Sequence, residues 1–148
     1  MTTPPRWTKV SDQFFASQQI TAGDMAAIKE AGVTLIVNNR PDGEAPDQPA
    51  GAEIEAAARA AGLDYAAVPV GAAGVSAEDL ETFEAAFSAA SGATLGYCLS
   101  GLRSLMVYAF ARARAGTSVD ALIADAAAAG YDIERFRPTL ASLAPDGS

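Results

Sequence analysis

Three glycines, Gly32, Gly62 and Gly92, stand 30 residues apart, and each closes a helical pattern just before a strand-like run. That interval is about the length of a βαβ unit, so the chain reads as repeated helix-strand units around a sheet that is parallel at its centre. Thr21-Ala-Gly-Asp24 resembles a capping box, and Met25, Ala26, Ile28 and Ala31 follow at helical spacing. Val33-Thr-Leu-Ile-Val37 is continuously apolar and β-branched, the pattern of a strand buried on both faces. Further on, 51–61 reads as a helix, 63–70 as a strand and 76–90 as a helix, with Ser76 and Asp79 suited to its start. A last strand leads into Cys98. Beyond it only helical patterns occur, over 103–115, 118–129 and 134–143. Residues 1–9 are expected to form an N-terminal arm, 10–143 a single domain whose first stretch to 20 reads either as an irregular edge strand or as a packed arm, and 144–148 a tail.

With 148 residues, half of them hydrophobic, the chain can bury a core without a metal or disulfide staple. It has one cysteine and no histidine, which removes intramolecular disulfides, His-based zinc sites and Cys-His pairs. No cofactor is expected, nor any metal: Asp120 and Asp125 read as a solvated helix face. The formal charge of −8 and the lack of a basic cluster argue against nucleic acid and anionic membranes as partners. The uncharged run 85–102 is broken by serines and glycines and is not expected to span a bilayer. The N-terminal residues lack a signal-peptide apolar core, so a cytoplasmic location and a reduced thiol are expected.

The single cysteine lies in Cys98-Leu-Ser-Gly-Leu-Arg-Ser104, where a strand ends and a helix begins. That order aims the helix's unpaired N–H groups back at the sulfur, with Cys98 as nucleophile. Leu99, Ser100, Gly101 and Leu102 form a short loop whose amides can cradle an anion. Arg103 supplies a cation, and Ser104 is placed to donate a hydrogen bond to the sulfur. A cation at a helix N-terminus opposes the helix dipole, so Arg103 calls for an anionic neighbour, either thiolate or substrate. In an open α/β sheet, sites lie outside the carboxyl ends of the strands. There 38–44 and 71–75 join the cysteine loop. Arg40 reads either as a second cation at the mouth or as a loop brace, and Asp42 either as a substrate contact or as part of the Pro41-Asp42-Gly43 turn. Tyr97 either packs in the core or lines the site.

A helical ending after the cysteine loop favours a tyrosine-phosphatase-like architecture over a rhodanese one. This is a three-layer α/β fold with a mainly parallel sheet between helices, of the dual-specificity-phosphatase-like kind. The cysteine loop, with Val37-Asn-Asn-Arg-Pro-Asp-Gly-Glu44, Gln48-Pro49 and the stretch before Tyr131, resembles the bacterial DUF442 family, the phosphatase-like domain of beta-lactamase-hydrolase-like proteins. The resemblance implies a tyrosine-phosphatase-like fold and a cysteine-dependent activity, either phosphatase or rhodanese-like sulfurtransferase. Leu99 and Leu102 stand where the family usually carries Arg and Thr.

Two features favour sulfur transfer. The Cys-x4-Arg spacing is one residue shorter than in tyrosine phosphatases, and 71–75, Gly-Ala-Ala-Gly-Val, contains no acid to protonate a leaving alkoxide, which leaves Asp42 or Glu44 of the other loop as the substitutes. The expected activity is therefore a sulfurtransferase that forms a Cys98 persulfide. Its partners would be a small anionic sulfur donor or persulfide and a thiol acceptor. The alternatives are a cysteine-dependent phosphatase and a non-catalytic anion- or partner-binding module.

Overall fold

The computed structural model describes residues 6–145. Five strands form one sheet in the order β1-β2-β5-β3-β4: β1 Trp7–Ser11, β2 Phe14–Ser17, β3 Val33–Asn38, β4 Asp64–Ala67 and β5 Ala93–Tyr97. Only β1 and β2 are antiparallel; every other pairing is parallel. The sheet lies between two helical layers. On one face are α1 Met25–Glu30 and α2 Gly51–Ala60. On the other are α3 Ala77–Ala89, α4 Leu102–Arg114, α5 Val119–Ala128 and α6 Arg137–Leu143. This is the expected tyrosine-phosphatase-like layering.

Side chains alternate across β3 as a doubly covered strand requires: Leu35 and Val37 enter the larger core, Ile36 the smaller one. The larger core centres on Phe14, which stacks on Tyr108 at 4.2 Å and meets Phe83 edge-on at 6.2 Å. Burying one such phenylalanine stabilises the fold by roughly 2–3 kcal/mol. The smaller core gathers Ile20, Ile28, Ile54, Leu95 and Tyr97. Tyr97 is thus a core residue, with its hydroxyl facing that of Tyr65 and its ionisation strongly disfavoured by burial.

Several boundaries differ from those expected. The arm and the irregular edge strand are instead a hairpin: β1 starts at Trp7, Val10 is buried with Phe14, and β2 lies inside the sheet between β1 and β5. Residues 1–5 of the arm and 146–148 of the tail lie outside the described residues. The strand expected over 63–70 is regular only for Asp64–Ala67. Beyond β4 the chain still bonds to the end of β3, Val68 N–H to Asn38 O at 2.9 Å and Val70 N–H to Asn39 O at 3.0 Å, but a two-residue step on one side meets a one-residue step on the other and the regular ladder ends. Gly92 also differs from Gly32 and Gly62 in its reason for being glycine. Those two end their helices at positive φ, whereas a Cβ at Gly92 would strike Thr34 Cγ2 at 2.7 Å. The run 85–102 comprises the end of α3, β5 and the cysteine loop. Among the described residues no helix is long and apolar enough to cross a membrane.

Candidate active site

The carboxyl end of β5 carries the cysteine into the gap between β2 and β3. Cys98 N–H donates to Ser17 O at 3.2 Å, and Asn39 N–H donates to Tyr97 O at 2.9 Å. Cys98 is fully buried. Its sulfur accepts the Gly101 N–H at 3.0 Å, so the loop turns back on the nucleophile as it enters α4. The turn depends on Gly101, which has φ +97° as the residue capping α4. A side chain there would be strained, and its Cβ would collide with the Tyr131 hydroxyl. Ser100 serves the same turn: its Oγ accepts the Leu102 N–H at 3.3 Å and its carbonyl accepts the Tyr131 hydroxyl at 3.0 Å.

Arg103, in the first turn of α4, does find an anion, and that anion is Glu44. Its Nη1 donates to Glu44 Oε2 at 2.7 Å and its Nη2 to Oε1 at 3.0 Å, a two-pronged pairing. Nη1 also donates to the Val70 carbonyl at 2.9 Å. The irregular path of the chain after β4 puts that carbonyl there. Arg103 also lies close enough to Cys98 for charge on the sulfur to favour its protonated form, though the bond to Glu44 is the larger cause. Glu44 in turn is held by Arg40, whose Nε donates to Oε1 at 3.0 Å. The Arg103 hydrogen bond first, and that of Arg40 with it, overcome partial burial and lower the Glu44 carboxyl to about 2.

The other expected site residues sort as follows. Arg40 is a brace: it is buried, it bonds Gln19 Oε1 at 3.0 Å as well as Glu44, and its backbone N–H donates to Asn38 Oδ1 at 2.9 Å. Asp42 is the turn residue of the two readings, because its Oδ1 accepts the Gly51 N–H at 2.8 Å and so satisfies a free donor at the start of α2. Ser104 makes no hydrogen bond to the sulfur. It is buried against β5, its Cβ 3.1 Å from where a Cβ on Gly96 would stand, and its hydroxyl has no partner. Leu102 packs against the larger core, leaving Leu99, 58% exposed, as the bare apolar side chain of the loop.

Three participants lie outside the expected site: Glu44, which the sequence offers only as a substitute acid, Tyr131, which it places only within a stretch of family resemblance, and Gln19, which no sequence pattern marks. Burial raises the Tyr131 pKa, and a thiolate at Cys98 would add to that effect. For Glu44 a signal existed in the charge conflict at Arg103. Nothing in the local pattern marks Tyr131.

The profile of the beta-lactamase hydrolase-like protein, phosphatase-like domain, matches residues 7–115. The chain belongs to this family. The beta-lactamase hydrolase-like protein of Xylella fastidiosa strain 9a5c is 34% identical over 131 residues, which cover 88% of this chain and 30% of that protein. The corresponding protein of Agrobacterium fabrum is 31% identical over 73% of this chain and 25% of its own length. The chain thus spans less than a third of these curated relatives. Among solved structures, a candidate phosphatase from Neisseria meningitidis Z2491 superposes with a TM-score of 0.80 at 34% identity, covering 92% of this chain and 96% of that one. A mouse candidate dual specificity phosphatase, at 23% identity and a TM-score of 0.63, covers 97% of this chain and 89% of its own and shares the fold. The chain is therefore a phosphatase-like domain. These likenesses support the phosphatase alternative over the sulfurtransferase expected from loop length and the missing acid.

Proposed function

We propose that the domain is a cysteine-dependent phosphatase in which Cys98 takes the phosphoryl group while the loop amides and Arg103 hold its oxygens. One observation carries the reading: the Gly101 N–H meets the Cys98 sulfur at the start of α4 with Arg103 beside it. A phosphoryl group over the sulfur would meet helix-terminal N–H groups and a guanidinium fixed by Glu44 and Val70 O, so the cation is oriented before substrate arrives. The Cys98 thiolate attacks phosphorus, the bond from phosphorus to the ester oxygen breaks, and the leaving group departs with that electron pair. Water then attacks the phosphocysteine, the S–P bond breaks, and inorganic phosphate leaves as the thiolate is restored. The test is p-nitrophenyl phosphate turnover with rapid-quench mass analysis. A phosphorylated intermediate on wild type and a loss of roughly 10³-fold or more in Cys98→Ser are expected. Phosphate release that survives the substitution would overturn the reading.

Sulfur transfer remains the second reading, favoured by the acid-free 71–75 loop. In it the thiolate attacks the outer sulfur of a small anionic donor, the donor's S–S bond breaks, sulfite or a thiolate leaves, and a thiol acceptor later removes the sulfur from Cys98. One added sulfur by intact mass after thiosulfate or glutathione persulfide, on wild type and not on Cys98→Ser, would support it. An unchanged mass would dismiss it.

A further inference from the structure

We infer that the proposed phosphatase reaction, on which this inference rests, is restricted to phosphoryl donors whose leaving group departs as a stable anion, namely acyl phosphates and phosphates of acidic phenols. Serine, threonine and tyrosine phosphates would be turned over poorly.

Among the described residues, none of the acids around the sulfur is free to deliver a proton. Expelling an alkoxide needs an acid to deliver a proton, and such an acid is worth about 10²–10⁴-fold. The loop after β4 runs beside the site, since Val70 O accepts from Arg103 and a side chain at Gly71 would touch Pro41 at 3.8 Å. Yet Gly71, Ala72, Ala73, Gly74 and Val75 carry no proton to give. The carboxylates flanking this loop cluster are committed or turned outward. Asp42 accepts the Gly51 N–H at the start of α2, Asp79 accepts the Ser76 N–H at 2.9 Å in the capping box of α3, and Asp47 and Glu78 are exposed. Glu44 is the acid nearest the chemistry. Two arginines keep it ionised far below neutral pH, so it has no proton to deliver. The Tyr131 hydroxyl already donates to Ser100 O, and burial makes it a weaker acid still.

What the site holds is a nucleophile, an anion cradle and a fixed cation. That set completes a reaction only when the departing group is itself content as an anion. With an acyl phosphate, the thiolate attacks phosphorus, the P–O bond to the acyl oxygen breaks and a carboxylate leaves, with a conjugate-acid pKa near about 4 and no need of a proton. Hydrolysis of the phosphocysteine expels a thiolate, again without an acid.

The test measures kcat/KM for acetyl phosphate, p-nitrophenyl phosphate, phenyl phosphate and phosphoserine, with Cys98→Ser as the blank. This ratio reports cysteine phosphorylation, the step at which the leaving group departs. A fall of about 100-fold or more from p-nitrophenyl to phenyl phosphate, and no turnover of phosphoserine, are expected. Values for the two aryl esters within about threefold of each other would mean an acid is at work; that overturns the restriction and leaves the phosphatase standing. No Cys98-dependent release from acetyl or p-nitrophenyl phosphate would overturn both. Glu44→Gln and Tyr131→Phe are expected to keep the same dependence on leaving group whatever they do to the absolute rate. A steeper dependence in either variant would identify the hidden proton donor and overturn the inference.

Discussion

The loops that leave the carboxyl ends of β3 and β4 run side by side, yet one is tied at nearly every residue and the other carries no polar side chain. In the first, Asn38, Asn39, Arg40, Asp42 and Glu44 all bond through their side chains. In the second, Gly71-Ala-Ala-Gly-Val75, a single turn from Gly74 N–H to Gly71 O at 3.0 Å shapes the chain. The difference separates two tasks that a phosphoryl-transfer site must meet. Orienting the cation needs a rigid polar scaffold, and the first loop provides it through Arg40 and Glu44. Supplying a proton needs one acidic side chain, and the second loop has none.

Breaking the first loop's grip should therefore cost far more than altering the second. The largest effect is expected from Arg103→Lys. A single ammonium cannot pair with both Glu44 oxygens and still reach Val70 O, so kcat/KM on p-nitrophenyl phosphate should fall by roughly 10²–10³-fold. A near wild-type rate would show that the clamp does not serve the chemistry.

Glu44→Gln comes next. The amide keeps the size of the side chain but loses its charge and one of its two acceptors, and a fall of about tenfold in kcat/KM is expected. The same pair predicts a pH signature in thermal melting. The folded carboxyl sits at about 2, below its ordinary 4.5, so folding favours the ionised form. The stability it contributes is complete above about 4.5, declines as the unfolded chain takes up its proton below that, and is gone once the pH passes below about 2. The Tm difference between wild type and Glu44→Gln should be flat from neutrality to about pH 5 and then close toward pH 2. A difference independent of pH would mean the clamp is not ionic.

Ala73→Ser should do least. Ala73 is exposed in a loop with no side-chain partners, and changes of less than about 0.5 kcal/mol in stability and about twofold in rate are expected by urea melts and steady-state assay. A larger loss would give the second loop a role its residues do not suggest.

The central sheet was legible because its signals are periodic and local. The alternation of β3, the glycines before each strand and the Ser76 cap each depend on residues within a few positions. The hairpin was less so: Trp7 and Lys9 make strand only because Ser17 and Phe15 lie opposite. At the site, the backbone features followed from the sequence and the side-chain pairings did not. Gly101 and Cys98 are three residues apart, and their contact is implied by any tight loop into a helix. Glu44 and Arg103 are 59 apart, joined only after β3 and β5 have paired. Arg103 at a helix N-terminus announces that an anion is needed, but nothing local to it points to a carboxylate elsewhere in the chain rather than to the thiolate or the substrate. Ser104 misled because a hydroxyl six residues past a cysteine looks available, whereas the first turn of α4 directs it at Gly96.

Tyr131 lies beyond residue 115, where the family profile stops, yet its hydroxyl rests on Ser100 and its ring stands where any side chain at Gly101 would go. A protein cut back to that point would retain Cys98, Arg103 and both clamping residues and still lose one wall of the cysteine loop, together with the α5 and α6 packing on α4. The stretch that the family model matches is thus shorter than the stretch that must be inherited together for the loop to keep its shape.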